Sequence, residues 1–145
     1  MRMAVKTLRW TTIGIWIFIA LAVSTVLYSA ARTEIGDPQY EEIHQGSLIT
    51  VRISMDITNN GLYDVSNVSL QIRLLEPDGD VVASDNCSIP VIHRGESYAL
   101  NSTVYVDKRD LDPGVEALTA ITTVTMKYAG LIAVQIHVNS TVAVD

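Results

Sequence analysis

Two hydrophobic rhythms divide the chain. From Trp10 to Ala31 there are 22 consecutive uncharged residues. At about 1.5 Å per residue a helix of that length covers roughly 33 Å, enough for a hydrocarbon core of about 30 Å. Nine of the 22 are Ile, Leu, Val or Phe, and together they contribute roughly −3 to −5 kcal/mol toward insertion. Beyond Gly46 the period falls to two. In LITVRISMDIT the apolar residues Ile49, Val51, Ile53, Met55 and Ile57 alternate with Thr50, Arg52, Ser54, Asp56 and Thr58. Strict alternation of this kind marks a half-buried antiparallel strand.

The same rhythm recurs to the end of the chain. Asn59-Asn60-Gly61 closes the first strand with turn chemistry. Val68, Leu70, Ile72 and Leu74 share a face of the next strand, and Glu76-Pro77-Asp78-Gly79-Asp80 follows as a turn. A third strand runs from Val81 to about Ile89 with Val81, Ala83, Cys87 and Ile89 inward. Pro90 and His93-Arg94-Gly95-Glu96 form the next corner. Tyr98, Leu100, Val104 and Val106 face the core on the fourth strand. After the loop at 107–114, two long strands over about 116–128 and 131–144 turn at Ala129-Gly130. Six to seven strands, with no helical period after residue 46, predict an all-β fold: an antiparallel β-sandwich over 47–145. One N-terminal transmembrane helix over 10–31 precedes it.

Between the two rhythms lies a polar, acidic tether, RTEIGDPQYEEIHQG, residues 32–46. Asp37-Pro38 suits a helix start, Glu41 and Glu42 suit its first turn, and Gly46 suits its end. The expectation is a short helix over 38–45, or else a loose stalk.

Charge supplies the orientation. Arg2, Lys6 and Arg9 precede the apolar run, whereas only Arg32 stands close behind it. The positive-inside bias places residues 1–9 in the cytoplasm and the sandwich outside, as a single-pass cell-membrane protein. Arg9 and Trp10 at one end, and Tyr28 and Arg32 at the other, are the expected membrane-interface anchors. Ser29-Ala30-Ala31 also offers small residues suited to a signal peptidase. Signal h-regions usually run about 7–15 residues, which favours a retained anchor here.

After residue 31 the chain carries 16 acidic residues against seven Lys or Arg, a net charge of −9. A domain that acidic repels phosphate backbones, so nucleic acid is excluded as a partner. With one cysteine, Cys87, no intrachain disulfide is available, and the thiol is expected to act as a small buried hydrophobe. His44, His93 and His137 have no metal-ligand spacing. Asp78-Gly79-Asp80 and Asp107, Asp110 and Asp112 lack the full ligand series of a calcium loop. No nucleophile elbow or phosphate-binding loop is present. The expectation is no catalytic residue, no metal, no cofactor and no enzyme.

Four tripeptides match the N-glycosylation sequon, at Asn67, Asn86, Asn101 and Asn139. With six asparagines in the chain, about one match is expected by chance. All four fall on the polar side of the alternation, as glycan acceptors must. Tyr63, Leu75, Tyr98, Tyr105 and Tyr128 are candidates for a contact surface.

The stretch ITVRISMDITNNGLYDVSNVSLQIRLLEPDGDVVASDNCSIPVIHRGES resembles two families of immunoglobulin-like domain. One is the CARDB-type module of prokaryotic surface proteins. The other is the late-embryogenesis-abundant type 2, or WHy, domain, often preceded by one membrane helix. The closing hairpin ITTVTMKYAGLIAVQIHVNSTV is more similar to the WHy pattern, whereas Asn59-Asn60-Gly61 stands where that family has Asn-Pro-Asn. The resemblance implies a binding or protective module and brings no catalytic residues. The chain is thus expected to be a membrane-anchored, extracytoplasmic interaction or structural module. Its partners are the membrane through residues 10–31, and a protein or a second copy through a sheet edge. Two alternatives stand beside it. One is a secreted subunit of a surface filament assembling by strand exchange. The other is a WHy-like domain holding lipid or another apolar ligand between its sheets.

Overall fold

A computed structural model describes residues 2–144, with side chains from Thr12 onward. Among the described residues, one helix precedes eight strands. Helix α1 spans Arg2–Ala30, and its Thr12–Ala30 segment is long and apolar enough to cross a membrane, with a mean hydropathy of 2.1. The strands are β1 (Thr33–Ile35), β2 (Gln39–Gln45), β3 (Leu48–Asn59), β4 (Val65–Leu75), β5 (Val81–Ile92), β6 (Ser97–Asp107), β7 (Ala117–Tyr128) and β8 (Ile132–Ala143). All pairings are antiparallel. They build two sheets, and the fold is an all-β sandwich behind one N-terminal helix.

β3 is the middle of the first sheet. β6 lies along one side of it, from Leu48↔Asp107 to Thr58↔Ser97. Its other side is shared end to end by β1, opposite Ile57 to Asn59, and β2, opposite Leu48 to Ser54. The second sheet has the order β5-β4-β7-β8. The inward residues of β3 (Ile49, Val51, Ile53, Met55, Ile57) meet those of β4 (Val65, Val68, Leu70, Ile72, Leu74), and all are buried. Each such side chain is worth about 1.5–3 kcal/mol on burial, so this facing pair of rows is the mechanical centre of the domain.

The tether is not a helix. Residues 39–45, expected to be helical, form β2, and the sandwich begins at Thr33 rather than at residue 47. The cause is tertiary. β2 pairs with the side of β3 that β6 leaves free, over seven positions, and this tertiary pairing outweighs the local helix propensity. Half-buried Tyr40 fastens the strand by donating its hydroxyl to Thr122 Oγ1 at 3.0 Å. Gly46, at φ 63°, supplies the left-handed corner of a two-residue turn between Gln45 and Leu48.

Three smaller expectations change as well. β5 continues through Pro90 to Ile92, because an edge strand tolerates a missing amide on its open side. Val81 points outward and is 50% exposed. A register shift between Leu74 and Leu75 inserts one extra residue of β5 there and puts Val81 out of phase. Tyr98 is 42% exposed rather than buried, since it lies at the start of edge strand β6. In β4, a bulge between Ser66 and Ser69 is turned by Asn67 at φ 50°, a conformation asparagine accepts more readily than most residues.

Candidate functional site

The end of α1 is built into the base of the sandwich. Ser29 is fully buried. Its hydroxyl shares a hydrogen bond with the Tyr128 hydroxyl and accepts the amide of Leu62. Tyr128, 2% exposed, also accepts the Tyr63 amide at 3.3 Å, and its ring meets that of Tyr63 edge-on at 6.2 Å. Gly61 sits inside this knot. A Cβ there would land on the Tyr128 hydroxyl and within 2.7 Å of the Ser29 carbonyl oxygen, so only glycine lets the loop pass. Asn59, also fully buried, holds the loop from below. Its side-chain amide donates to the carbonyls of Tyr63 (2.8 Å) and Ile92 (3.0 Å), and its side-chain oxygen accepts the Gly61 amide at 3.1 Å.

The expected interface anchors divide between described and undescribed residues. The Tyr28 ring is exposed and carries the Arg32 guanidinium at 5.2 Å from its centroid, a cation–π pair. The side chains of Arg9 and Trp10 lie outside the described residues. Beside α1, the β7–β8 turn brings Leu131 and Ile132 against Ala22, Val23, Val26 and Leu27 around a wholly apolar hollow of about 260 Å³. This hollow lies outside the core, not between the sheets.

The two flanks of the sandwich differ. On one, β5 and β6 are the sheet edges, and Asp85 closes the gap between them. Its carboxylate accepts the Ser102 hydroxyl at 2.6 Å and the Thr103 amide at 3.1 Å. The Ser102 bond outweighs the cost of burial and holds this carboxyl below its ordinary range, and the Thr103 and Asn86 amides add to the effect. An inward-reaching acid that caps an edge amide blunts that edge. On the other flank stand β2 and β8. β8 is an edge strand of 12 residues with no charged residue and no proline. Its inward side chains Ile132, Val134, Ile136 and Val138 are only half-buried, because the shorter β2 opposite covers them incompletely.

At the far end of the molecule, Glu76, Asp78 and Asp112 bring carboxylate oxygens within 4.8 Å of one another. These are the groups that could share a cation. Glu76 is buried, and one of its oxygens is already taken by the Asp112 amide at 2.8 Å, so its visible task is to tie the 107–114 loop to the 76–80 turn. Asp107 is engaged elsewhere. It caps the short 3-10 turn Lys108–Asp110 and grips Arg109, which holds its carboxyl far below the usual range. The histidines are dispersed. His93 faces Asp64 at 3.2 Å, His44 lies 3.9 Å from Glu42, and His137 bonds Thr123 at 3.0 Å.

Asn67, Asn86, Asn101 and Asn139 are all exposed, on β4, β5, β6 and β8 respectively. Of the contact-surface candidates, Tyr63, Tyr98 and Tyr105 are exposed and Leu75 is half-buried. Tyr128 is not at the surface at all; it is the keystone of the base. Cys87 is half-buried and packs against the core.

No protein-family model matches the chain, and no curated protein sequence matches it. Solved structures match it in fold. A β-glucuronidase of Bacteroides uniformis is 18% identical over 73% of this chain and 13% of its own, with a TM-score of 0.54. A β-glucuronidase from glycoside hydrolase family 2 is 14% identical over 73% of this chain and 11% of its own, at a TM-score of 0.50. A Bordetella pertussis protein provisionally named ApaA is 12% identical over 77% of this chain and 94% of its own, at 0.51. This chain spans little more than a tenth of the two glycosidases. At such identities the likeness carries the β-sandwich fold alone.

Proposed function

We propose that this protein is a single-pass membrane protein that carries a rigid, non-enzymatic β-sandwich on the outer surface and engages another chain through the β8 edge. The observation behind the interaction reading is that edge: 12 residues with neither charge nor proline, above a half-buried apolar stripe. An edge of this length, left undefended, is the surface that accepts an added strand. The opposite flank, capped by Asp85, is not. The anchor reading rests on the apolar segment Thr12–Ala30 and on the basic residues that precede it. The burial of Ser29 in the base supports a helix that stays with the domain rather than one removed after export. Exposure of all four sequon asparagines is compatible with a glycosylated outer surface.

The occupant is an extended segment with alternating apolar side chains, supplied by a second copy or by another surface chain. Because α1 meets the end of the sandwich where β8 begins, β8 runs away from the membrane. Two copies related by an axis along the membrane normal must therefore pair β8 with β8 in parallel. Cross-linking on intact cells, with the full-length protein, tests the reading. Val138→Lys places a charge on the half-buried stripe and is expected to remove the adducts, while costing the fold no more than the partial burial of one valine, about 1–2 kcal/mol. Adducts that persist undiminished would exclude the β8 edge as the binding surface.

A further inference from the structure

The β7–β8 turn lies beside the membrane-spanning part of α1, not beyond its end. Leu131 and Ile132 share one apolar hollow with Ala22, Val23, Val26 and Leu27. At about 1.5 Å per residue, those helix positions lie roughly 4–12 Å inward from Ala30. The uncharged run over residues 10–31 has 22 residues, a helical rise of about 33 Å, which exceeds a hydrocarbon core of about 30 Å by only about two residues. The level of Ala22 to Leu27 is therefore inside the leaflet on the sandwich side.

Leu131 shares that level, and the loop that meets Ser29 at the helix end carries the same chemistry. Leu131 is 79% exposed, Leu62 on the neighbouring loop is 54% exposed, and Tyr63 is 39% exposed. The turn from Tyr128 to Ala133 has no charged residue. Cations stand just outside it, with Lys127 exposed on β7 and Arg32 stacked on Tyr28, where phosphate headgroups would meet them. In water, this collar of apolar side chains around a helix exit is unfavourable. In lipid it continues the apolar surface of the helix.

We infer that the β7–β8 turn, led by Leu131, is a second membrane contact that dips into the lipid beside α1 and seats the sandwich against the bilayer. The occupant of the hollow is acyl chain. This rests on the reading of α1 as a membrane span, and it holds whichever side the sandwich faces. The Ser29–Tyr128–Leu62 knot makes the contact possible, because it fixes the turn at one height relative to the helix.

Site-directed spin labelling of the full chain in phospholipid nanodiscs tests it. Single cysteines replace Leu131, Phe18 and Tyr105 in turn, in a Cys87→Ser background, and each label is read for collision with oxygen and with a water-soluble nickel chelate. The Leu131 label is expected to favour oxygen over nickel several-fold more than the Tyr105 label, as the Phe18 label does. A Leu131 label as open to nickel as the Tyr105 label, with Phe18 still lipid-exposed, overturns the second contact and leaves the anchor standing. A water-exposed Phe18 label overturns the anchor and the contact together. Spin–spin broadening at Leu131, with shielding from both reagents, puts a second copy in the hollow instead of lipid and overturns the inference.

Discussion

Tyr128→Phe tests the base knot with the smallest available change. The ring stays, and with it the edge-on contact to Tyr63 at 6.2 Å. Only the hydroxyl goes. Its loss leaves the buried Ser29 hydroxyl with one partner fewer and the Tyr63 amide without its acceptor. Leaving buried polar groups unpaired costs about 1–3 kcal/mol. A domain of roughly 110 residues shifts by about 4 °C per kcal/mol, so the midpoint should fall by about 4–12 °C. The assay is thermal unfolding of the full chain in nanodiscs, followed by the β-sheet circular dichroism band. Ser29→Ala should cost a similar amount, since it strands the Leu62 amide. Because the two residues share one hydrogen bond, the double variant should be less damaged than the sum, by about 1 kcal/mol. Additivity within about 0.3 kcal/mol would show that the hydroxyls do not meet and that the helix is not locked to the base.

Three further outcomes follow from the same structure. Gly61→Ala forces a methyl group onto the Tyr128 hydroxyl and should destabilise the sandwich by about 1–3 kcal/mol in chemical unfolding. Thr33→Val removes a buried hydroxyl with no partner among the described residues and should stabilise it by up to about 1 kcal/mol in the same assay. Asp85, whose carboxyl titrates below its unfolded value, contributes stability that is fully present above about pH 4 and lost as pH falls through the folded-state value. The gap in thermal midpoint between the natural protein and Asp85→Asn should therefore be open at pH 7 and close on acidification toward pH 2. A gap that stays constant with pH would show that the carboxylate charge is not what caps β6.

The elements that the sequence made legible were those whose burial is periodic and local. β3 and β4 alternate because one face of each meets the core over its whole length, and β8 alternates half-buried with exposed positions along the edge. β2 was hidden because its half-buried residues, Tyr40 and Ile43, are three apart, which is helical spacing, and because its partner strand decides its form. The Gly46-Ser47 pair before Leu48 was the available signal for a tight hairpin. The base knot was not legible at all. Ser29 lies in an apolar run where a small residue suggests lipid or a cleavage site. Gly61 looks like an ordinary turn glycine, and Tyr128 sits 99 positions from the serine it bonds. No periodicity reports a contact of that separation. The open β8 edge was legible as a long final strand, whereas the half-covered stripe beneath it depends on the shortness of β2 and needed the fold.

The account depends on the sandwich standing outside a membrane that α1 crosses. The most direct measurement is maleimide labelling of Tyr105→Cys in a Cys87→Ser background, using an impermeant reagent on intact cells; Tyr105 is 63% exposed, on β6. Full labelling before permeabilisation is the expected result. Labelling only after the membrane is opened would place the domain in the cytoplasm and contradict the account.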